Sequence, residues 1–258
     1  MQYSCQRFLQ VPDWEVADMK KRAGNILDWI YPRRCPVCDG ILEKKEPYIC
    51  RKCAGKLKPV EEPRCRKCSK PIRSWTEEYC VECGKGKHAY EKGYAVYPYH
   101  GPIQGSLMRF KYAQRQEYAG FYAQAIRIYG GDAIQRMQPE ALVPVPIHKK
   151  KLRTRGYNQA EVLARQLTDQ TGIPMDADLV LRKKNTLPQK ELDHEERRRN
   201  LREAFALKHP DKKLPYKRIL LVDDIYTTGS TVDALAALLK QAGAEEVCFV
   251  AVAIGNTG

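Results

Sequence analysis

Hydrophobic and polar positions divide the chain into three regions. Between Pro12 and Ile30 the apolar residues Trp14, Val16, Met19, Ile26, Leu27, Trp29 and Ile30 recur among charged ones at a loose helical spacing broken by Gly24. The pattern predicts an amphipathic helix that packs on its own protein or docks on a partner or a membrane surface. The stretch that follows carries too few apolar residues for a core of its own. From Gly93 onward, short apolar runs alternate with helical periodicity, as in an α/β domain. There Tyr94–Tyr99 reads as a strand that Pro98 places at an edge or an end. Residues 107–112 and 117–129 read as helices closed by Gly130-Gly131. Leu142–Ile147 reads as a short buried strand, 177–182 as another strand, and 245–254 as the last buried strand.

The run that organises the rest is Arg218-Ile-Leu-Leu-Val-Asp-Asp-Ile-Tyr-Thr-Thr-Gly-Ser-Thr231. Ile219 to Val222 reads as a fully buried strand, Asp223 and Asp224 follow at its carboxyl end, and Val232 to Leu239 is helical. Backbone N–H groups of Thr228, Gly229, Ser230 and Thr231 at that helix start suit a phosphomonoester, and Gly229 permits close approach. The two carboxylates, one loop-length away, can accept vicinal hydroxyls or hold a hydrated Mg²⁺. A ribose 5-phosphate fits both halves. Neither G-x-G-x-x-G after the strand nor G-x-x-x-x-G-K-[ST] anywhere is present, which disfavours dinucleotide and P-loop readings. Adjacent Asp residues leaving a buried strand are costly unless used, which argues against an ordinary capped turn.

Of ten cysteines, eight form Cys35-Pro-Val-Cys38, Cys50-Arg-Lys-Cys53, Cys65-Arg-Lys-Cys68 and Cys80-Val-Glu-Cys83, successive pairs starting fifteen residues apart. Two such knuckles complete a tetrahedral Cys₄ site, so the segment is expected to hold two structural Zn²⁺ ions. The sequential assignment puts Cys35, Cys38, Cys50 and Cys53 on one ion and Cys65, Cys68, Cys80 and Cys83 on the other. Joining first pair to third and second to fourth satisfies the same chemistry. Metal binding is expected to supply much of this segment's folding free energy. Cys5 and Cys248 stand alone as core or incidental thiols.

Lys and Arg number 45 against 31 Asp and Glu, a formal net charge of +14. That excess predicts attraction to polyanions. Around the knuckles, Arg51, Lys52, Arg66, Lys67, Lys70 and Arg73 lie among Tyr48, Trp75 and Tyr79. They can grip phosphates and stack bases of single-stranded DNA, or the ribbons can simply form a metal-stapled platform over the larger domain. No stretch approaches the about 20 apolar residues of a membrane span, and no signal-peptide core is present, so the expected location is cytoplasmic.

A second anion site is expected after the strand 142–147. There His148-Lys-Lys-Lys-Leu-Arg-Thr-Arg-Gly156 reads as a basic loop leading to a helix near Asn158, and pyrophosphate is its natural occupant. Lys149, Arg153, Arg155 and Gly156 are its candidate ligands. The polar segments 185–190 and 193–202 cannot pack a core and are expected to be mobile without ligand.

Val222-Asp-Asp-Ile-Tyr-Thr-Thr-Gly-Ser-Thr231 resembles the phosphoribosyl-pyrophosphate (PRPP) signature of type I phosphoribosyltransferases, with every signature position filled. The resemblance implies that Asp223 and Asp224, the candidate catalytic residues, hold the ribose hydroxyls. It implies that Thr227, Thr228, Gly229, Ser230 and Thr231 wrap the 5-phosphate, that Mg²⁺ accompanies PRPP, and that the segment 185–202 forms a hood over the ligand. Taken with the double ribbon, Pro144–Gln159 and the Leu187-Pro-Gln-Lys…Arg197-Arg-Arg-Asn200 stretch, it is similar to the ComF family of bacterial competence proteins. The expected architecture is therefore an N-terminal helical segment (1–34), a double zinc ribbon (35–92) and a type I phosphoribosyltransferase-like α/β domain (93–258), a parallel sheet flanked by helices. The implied role is in natural transformation, with single-stranded DNA and a helicase-like ATPase as partners and peripheral contact with inner-membrane machinery. The runner-up is an active transferase moving ribose 5-phosphate to a nucleophile with release of pyrophosphate.

Overall fold

The computed structural model describes residues 32–86, 88–183 and 203–255. The helix expected over 12–30 and the charged segment over 185–202 lie outside the described residues. In chain order the elements are α1 (Arg51–Ala54), α2 (Val81–Gly84), β1 (Gly93–Pro98), α3 (Gly101–Tyr112), α4 (Tyr118–Met137), β2 (Ala141–Pro144), α5 (Lys149–Arg155) and α6 (Gln159–Thr171). They continue with β3 (Val180–Arg182), β4 (Phe205–Leu207), β5 (Arg218–Tyr226), α7 (Ser230–Gln241) and β6 (Glu246–Ile254).

Four strands form a parallel sheet in the order β1-β6-β5-β2, and β3 pairs antiparallel with β4. Pro98, with no N–H to give, closes the edge strand β1, as its sequence position predicts. The outer side of β2 is covered in turn: Leu142 N–H donates to Pro174 O and Asp176 N–H to Leu142 O.

Alternation along β5 sends its side chains into two cores. Leu220 and Val222 pack with Leu107, Phe110, Tyr122 and Leu163 of α3, α4 and α6. Ile219 and Leu221 pack with Val232, Leu235 and Leu239 of α7. With both faces covered, the strand reads as an unbroken apolar run rather than an alternating one. The ribbons join opposite faces: Cys35, Ile49 and Cys53 belong to the first core, whereas Val60, Cys65, Cys68 and Cys83 belong to the second.

Three details differ from the sequence expectation. Gly130-Gly131 does not end a helix: α4 runs on to Met137 and closes at Gln138, which takes the left-handed conformation (φ 46°). Gly130 is instead a packing position, since a Cβ there would stand 2.8 Å from the Tyr94 ring. β5 does not stop at Val222 but continues through the acidic pair to Tyr226, because its pairing with β6 persists to Tyr226↔Ile254. Finally, the basic loop is a short helix, α5, begun by His148 Nδ1 accepting from Lys150 N and closed by Gly156.

Candidate functional site and metal centres

The eight knuckle thiols gather in two groups, Cys35/Cys38/Cys50/Cys53 and Cys65/Cys68/Cys80/Cys83, the sulfurs of each within 4.8 Å of one another. This is the sequential pairing. Four ligands at about 2.3 Å from a tetrahedral Zn²⁺ stand about 3.8 Å apart, and Cys38–Cys50 and Cys68–Cys80 sulfurs lie 3.8 and 3.6 Å apart. The donor set and its spacing therefore fit two structural zinc ions. The two units repeat in detail: Cys35 N–H bonds Gly40 O and Cys65 N–H bonds Lys70 O, while Asp39 and Ser69 take positive φ at equivalent turn positions. Cys248 is a buried core thiol, pushed up to about 11 by its desolvation.

Both ribbons are anchored on the α/β domain. Arg109 of α3 donates to Pro36 O and Val37 O, and Asp39 accepts from Tyr118 OH at 2.6 Å and from Arg115 at 3.0 Å. On the second ribbon, Arg64 donates to Ala95 O of β1 and Lys70 is buried with its ammonium 6.0 Å from the Tyr226 ring, while Lys67 Nζ donates to His88 O within the ribbon segment. Arg66 pairs with Glu78, and Tyr48 packs against the first core. Of the basic and aromatic knuckle residues, then, Arg51, Lys52, Arg66, Arg73, Trp75 and Tyr79 are exposed, Arg66 in its pair with Glu78 and Trp75 at 77%. Lys67 and Lys70, by contrast, are turned inward, because their knuckle lies against the larger domain.

The acidic pair lies on β5 just beyond the point where its neighbour β2 ends. Pro144 pairs with Val222 and Val145 N–H bonds Val222 O, so β2 stops at the level of Val222 while β5 runs on to Tyr226 paired with β6. Asn158 caps α6 and also donates to Val145 O, tying that helix to the same crevice. Ligands of open α/β sheets lie outside such carboxyl ends. Asp224 is buried, and Lys111 Nζ at the end of α3 stands 2.6 Å from its Oδ2. Asp223 accepts from the Asp224 N–H at 2.8 Å. Removal from water, and then the adjacent Asp224 charge, hold the Asp223 carboxyl well above the usual carboxylate range, against the opposing pull of Lys111.

Beyond the pair the loop turns at Gly229, whose φ of 80° only glycine adopts freely and whose Cβ would stand 2.5 Å from Tyr226 Oη. Thr227 and Thr228 are exposed, Ser230 and Thr231 half-buried, and the Thr228 and Ser230 hydroxyls lie 2.9 Å apart at the start of α7. On the facing side, Arg155 donates to Tyr112 Oη and Gln159 Oε1, its guanidinium 5.0 Å from the Tyr112 ring. Lys149 and Arg153 are exposed on α5, with Gly156 just beyond. Lys151 is held below its ordinary value by partial burial and then by the cations Arg182, Arg155 and Lys111. Desolvation likewise lowers Arg182 at the end of β3, while Asp223 pulls it up. Lys111 and Arg182 thus belong with the carboxylates, although neither stands in any motif of the chain. Each is a single cation at an element's end, a pattern carrying no spacing signal.

Residues 152–258 match the phosphoribosyl transferase domain and residues 26–84 the double zinc ribbon domain. The fold is thus that of a type I phosphoribosyltransferase-like domain joined to a double zinc ribbon. Competence protein F of Haemophilus influenzae is 35% identical over 162 residues, covering 62% of this chain and 71% of that protein. DNA utilization protein YhgH of Salmonella typhimurium is 31% identical over 156 residues, covering 59% and 67%. Competence protein ComFC of Bacillus subtilis is 29% identical over 153 residues, covering 58% of each. The chain belongs to the ComF family of competence proteins.

The raised Asp223 has a measurable consequence. Its folded form retains a proton at pH values where the unfolded carboxyl, near 4, has lost it, so this residue's contribution to stability declines as pH rises through that window. Asp223→Asn removes the dependence. Urea midpoints of the variant and the parent are expected to diverge in the variant's favour as pH increases from about 4, then run parallel. A difference independent of pH would show that Asp223 titrates normally.

Proposed function

We propose that the crevice between β2 and β5 binds PRPP with Mg²⁺ and that the protein acts in the cytoplasm in DNA uptake. The observation carrying this reading is the juxtaposition of Asp223 and Asp224 with a glycine-turned helix start on one side and a cationic group on the other. Asp223 and Asp224 accept the ribose hydroxyls. Thr227, Thr228, Gly229, Ser230 and Thr231 take the 5-phosphate through backbone N–H groups and hydroxyls. Arg155, with Lys149, Arg153 and the Gly156 turn, faces the pyrophosphate, and Lys151 adds charge beside them. The Mg²⁺ that accompanies PRPP neutralises phosphate charge and can be held by the same carboxylates.

The DNA role comes from the relatives, which bear the names of competence and DNA utilization proteins. Single-stranded DNA contacts the exposed Arg51, Lys52 and Arg73 with Trp75 and Tyr79, and a helicase-like ATPase is the partner to which it is passed. A second reading is favoured by the perturbed Asp223, since carboxyls shifted by desolvation beside an anion site are frequently catalytic. In that reading a nucleophile takes the anomeric carbon of PRPP and pyrophosphate leaves. Its release only in the presence of a particular base or amine would select this alternative.

Replacing Asp223 and Asp224 together by Asn removes charge-assisted hydrogen bonds worth about 1.5–3 kcal/mol each, so PRPP affinity is expected to fall at least roughly tenfold. Calorimetry with PRPP and Mg²⁺ on both proteins measures it. Equal affinity in the folded double variant would refute the ribose assignment.

Single-stranded DNA affinity is expected to fall steeply with salt as condensed counterions are released. Converting Arg51, Lys52 and Arg73 to Gln lowers the log–log slope by about 0.7 for each phosphate that is no longer neutralised. An unchanged slope moves the DNA surface away from the ribbons, and absence of binding at low salt removes it.

A further inference from the structure

The second ribbon reaches the phosphate loop through buried contacts that neither zinc binding nor the ligand crevice requires. Tyr90, 1% exposed, lies seven residues beyond Cys83, and its hydroxyl stands 3.9 Å from that residue's sulfur. The same hydroxyl shares a 2.7 Å hydrogen bond with Tyr226 Oη. Tyr226 is the last residue of β5 and the floor on which Gly229 turns. Its ring is fixed from behind, stacked on Phe249 at 4.5 Å with an interplanar angle of 5°, while Tyr90 meets Phe249 edge-on at 5.0 Å.

A second tether holds the other end of the loop. His88 Nδ1 lies 2.6 Å from Asp233 Oδ2, and Ala89 N–H donates to Asp233 Oδ1 at 2.9 Å. Asp233 is in the first turn of α7, and the His88 carbonyl is itself held by Lys67 from the knuckle between Cys65 and Cys68. The loop is therefore gripped at residues 226 and 233 by one short piece of the second ribbon, 88–90. The first ribbon makes its polar anchors elsewhere, on Arg109, Arg115 and Tyr118.

We propose that Tyr90 is a positioning residue through which the fold of the second ribbon sets the conformation of the phosphate loop, the first ribbon having no such effect. The proposal rests on reading residues 227–231 as a phosphate loop. It needs no direct contact between Tyr90 and the ligand. A Tyr226 hydroxyl without its partner no longer defines where Gly229 sits, and the N–H groups of the loop lose their common aim.

Tyr90→Phe removes the hydroxyl and keeps the ring, so packing on Phe249 is retained. In the full-length zinc-loaded protein, amide hydrogen exchange across 227–232 is expected to accelerate several-fold in this variant, with zinc content unchanged at two per chain. PRPP affinity is expected to fall roughly three- to tenfold, the range for one buried hydrogen bond. Tyr226→Phe, at the other end of the same bond, gives the same changes, and the double variant gives no more than either alone. Asp39→Asn, which loosens the first ribbon, leaves exchange over 227–232 as in the parent. Loop exchange unchanged in both single variants overturns the proposal. So does full additivity, or an equal effect from Asp39→Asn. The exchange measurements need no ligand, so a parent protein that fails to bind PRPP would defeat the functional reading and leave the coupling decided on its own evidence.

Discussion

Two carboxylates at consecutive positions of a buried strand repel each other and resist leaving water, and much of the surrounding structure answers that constraint. Lys111 compensates Asp224 at 2.6 Å, while Arg182 is close enough to feel Asp223. Neither cation neutralises the pair fully, since Asp223 remains shifted upward. A site in this condition is suited to a ligand that brings hydroxyl donors and a divalent cation together. The pair is held in place by β5, which is flanked by β2 up to Val222 and by β6 through Tyr226, and by helices that cover both faces of the sheet.

The ribbons then take on a clear physical role. A segment with few apolar residues cannot order itself, so its zinc ions do that work, and its order is handed on by polar contacts to two walls of the crevice. The first ribbon grips α3 through Arg109, two residues from Lys111. The second meets Tyr226 and Asp233, on either side of the loop 227–231. In the proposed coupling, the fold of the second ribbon and the conformation of residues 227–231 are linked through these contacts.

Local chemistry was readable in the chain, and long-range geometry was not. The C-x-x-C spacing implied two Cys₄ groups, because two thiolates so spaced reach one ion, but it could not choose between sequential and crossed pairing. The Val222–Thr231 signature located the carboxylates and the loop, since a strand, acids and a glycine turn are a contiguous arrangement. Lys111, Arg182, His88 and Tyr90 were missed because each acts on a residue distant in sequence and stands in no motif. Gly130-Gly131 misled for a related reason: glycine near a helix end usually marks a stop, yet here the approach of the Tyr94 ring demands it. The basic stretch 149–155 read as a loop, since its charge gave no apolar stripe by which a helix could be recognised. Lys67 and Lys70 sit in an ordinary basic run, and only the packing shows them turned inward.

The central claim is that the crevice at the ends of β2 and β5 is a phosphoribosyl site. Its most direct test is amide hydrogen exchange on the zinc-loaded full chain with and without PRPP and Mg²⁺. The account predicts protection confined chiefly to two peptides, one spanning 223–232 and one spanning 145–157, which are remote in sequence and adjacent in the fold. Absence of protection in both at saturating PRPP, or protection elsewhere alone, would contradict it.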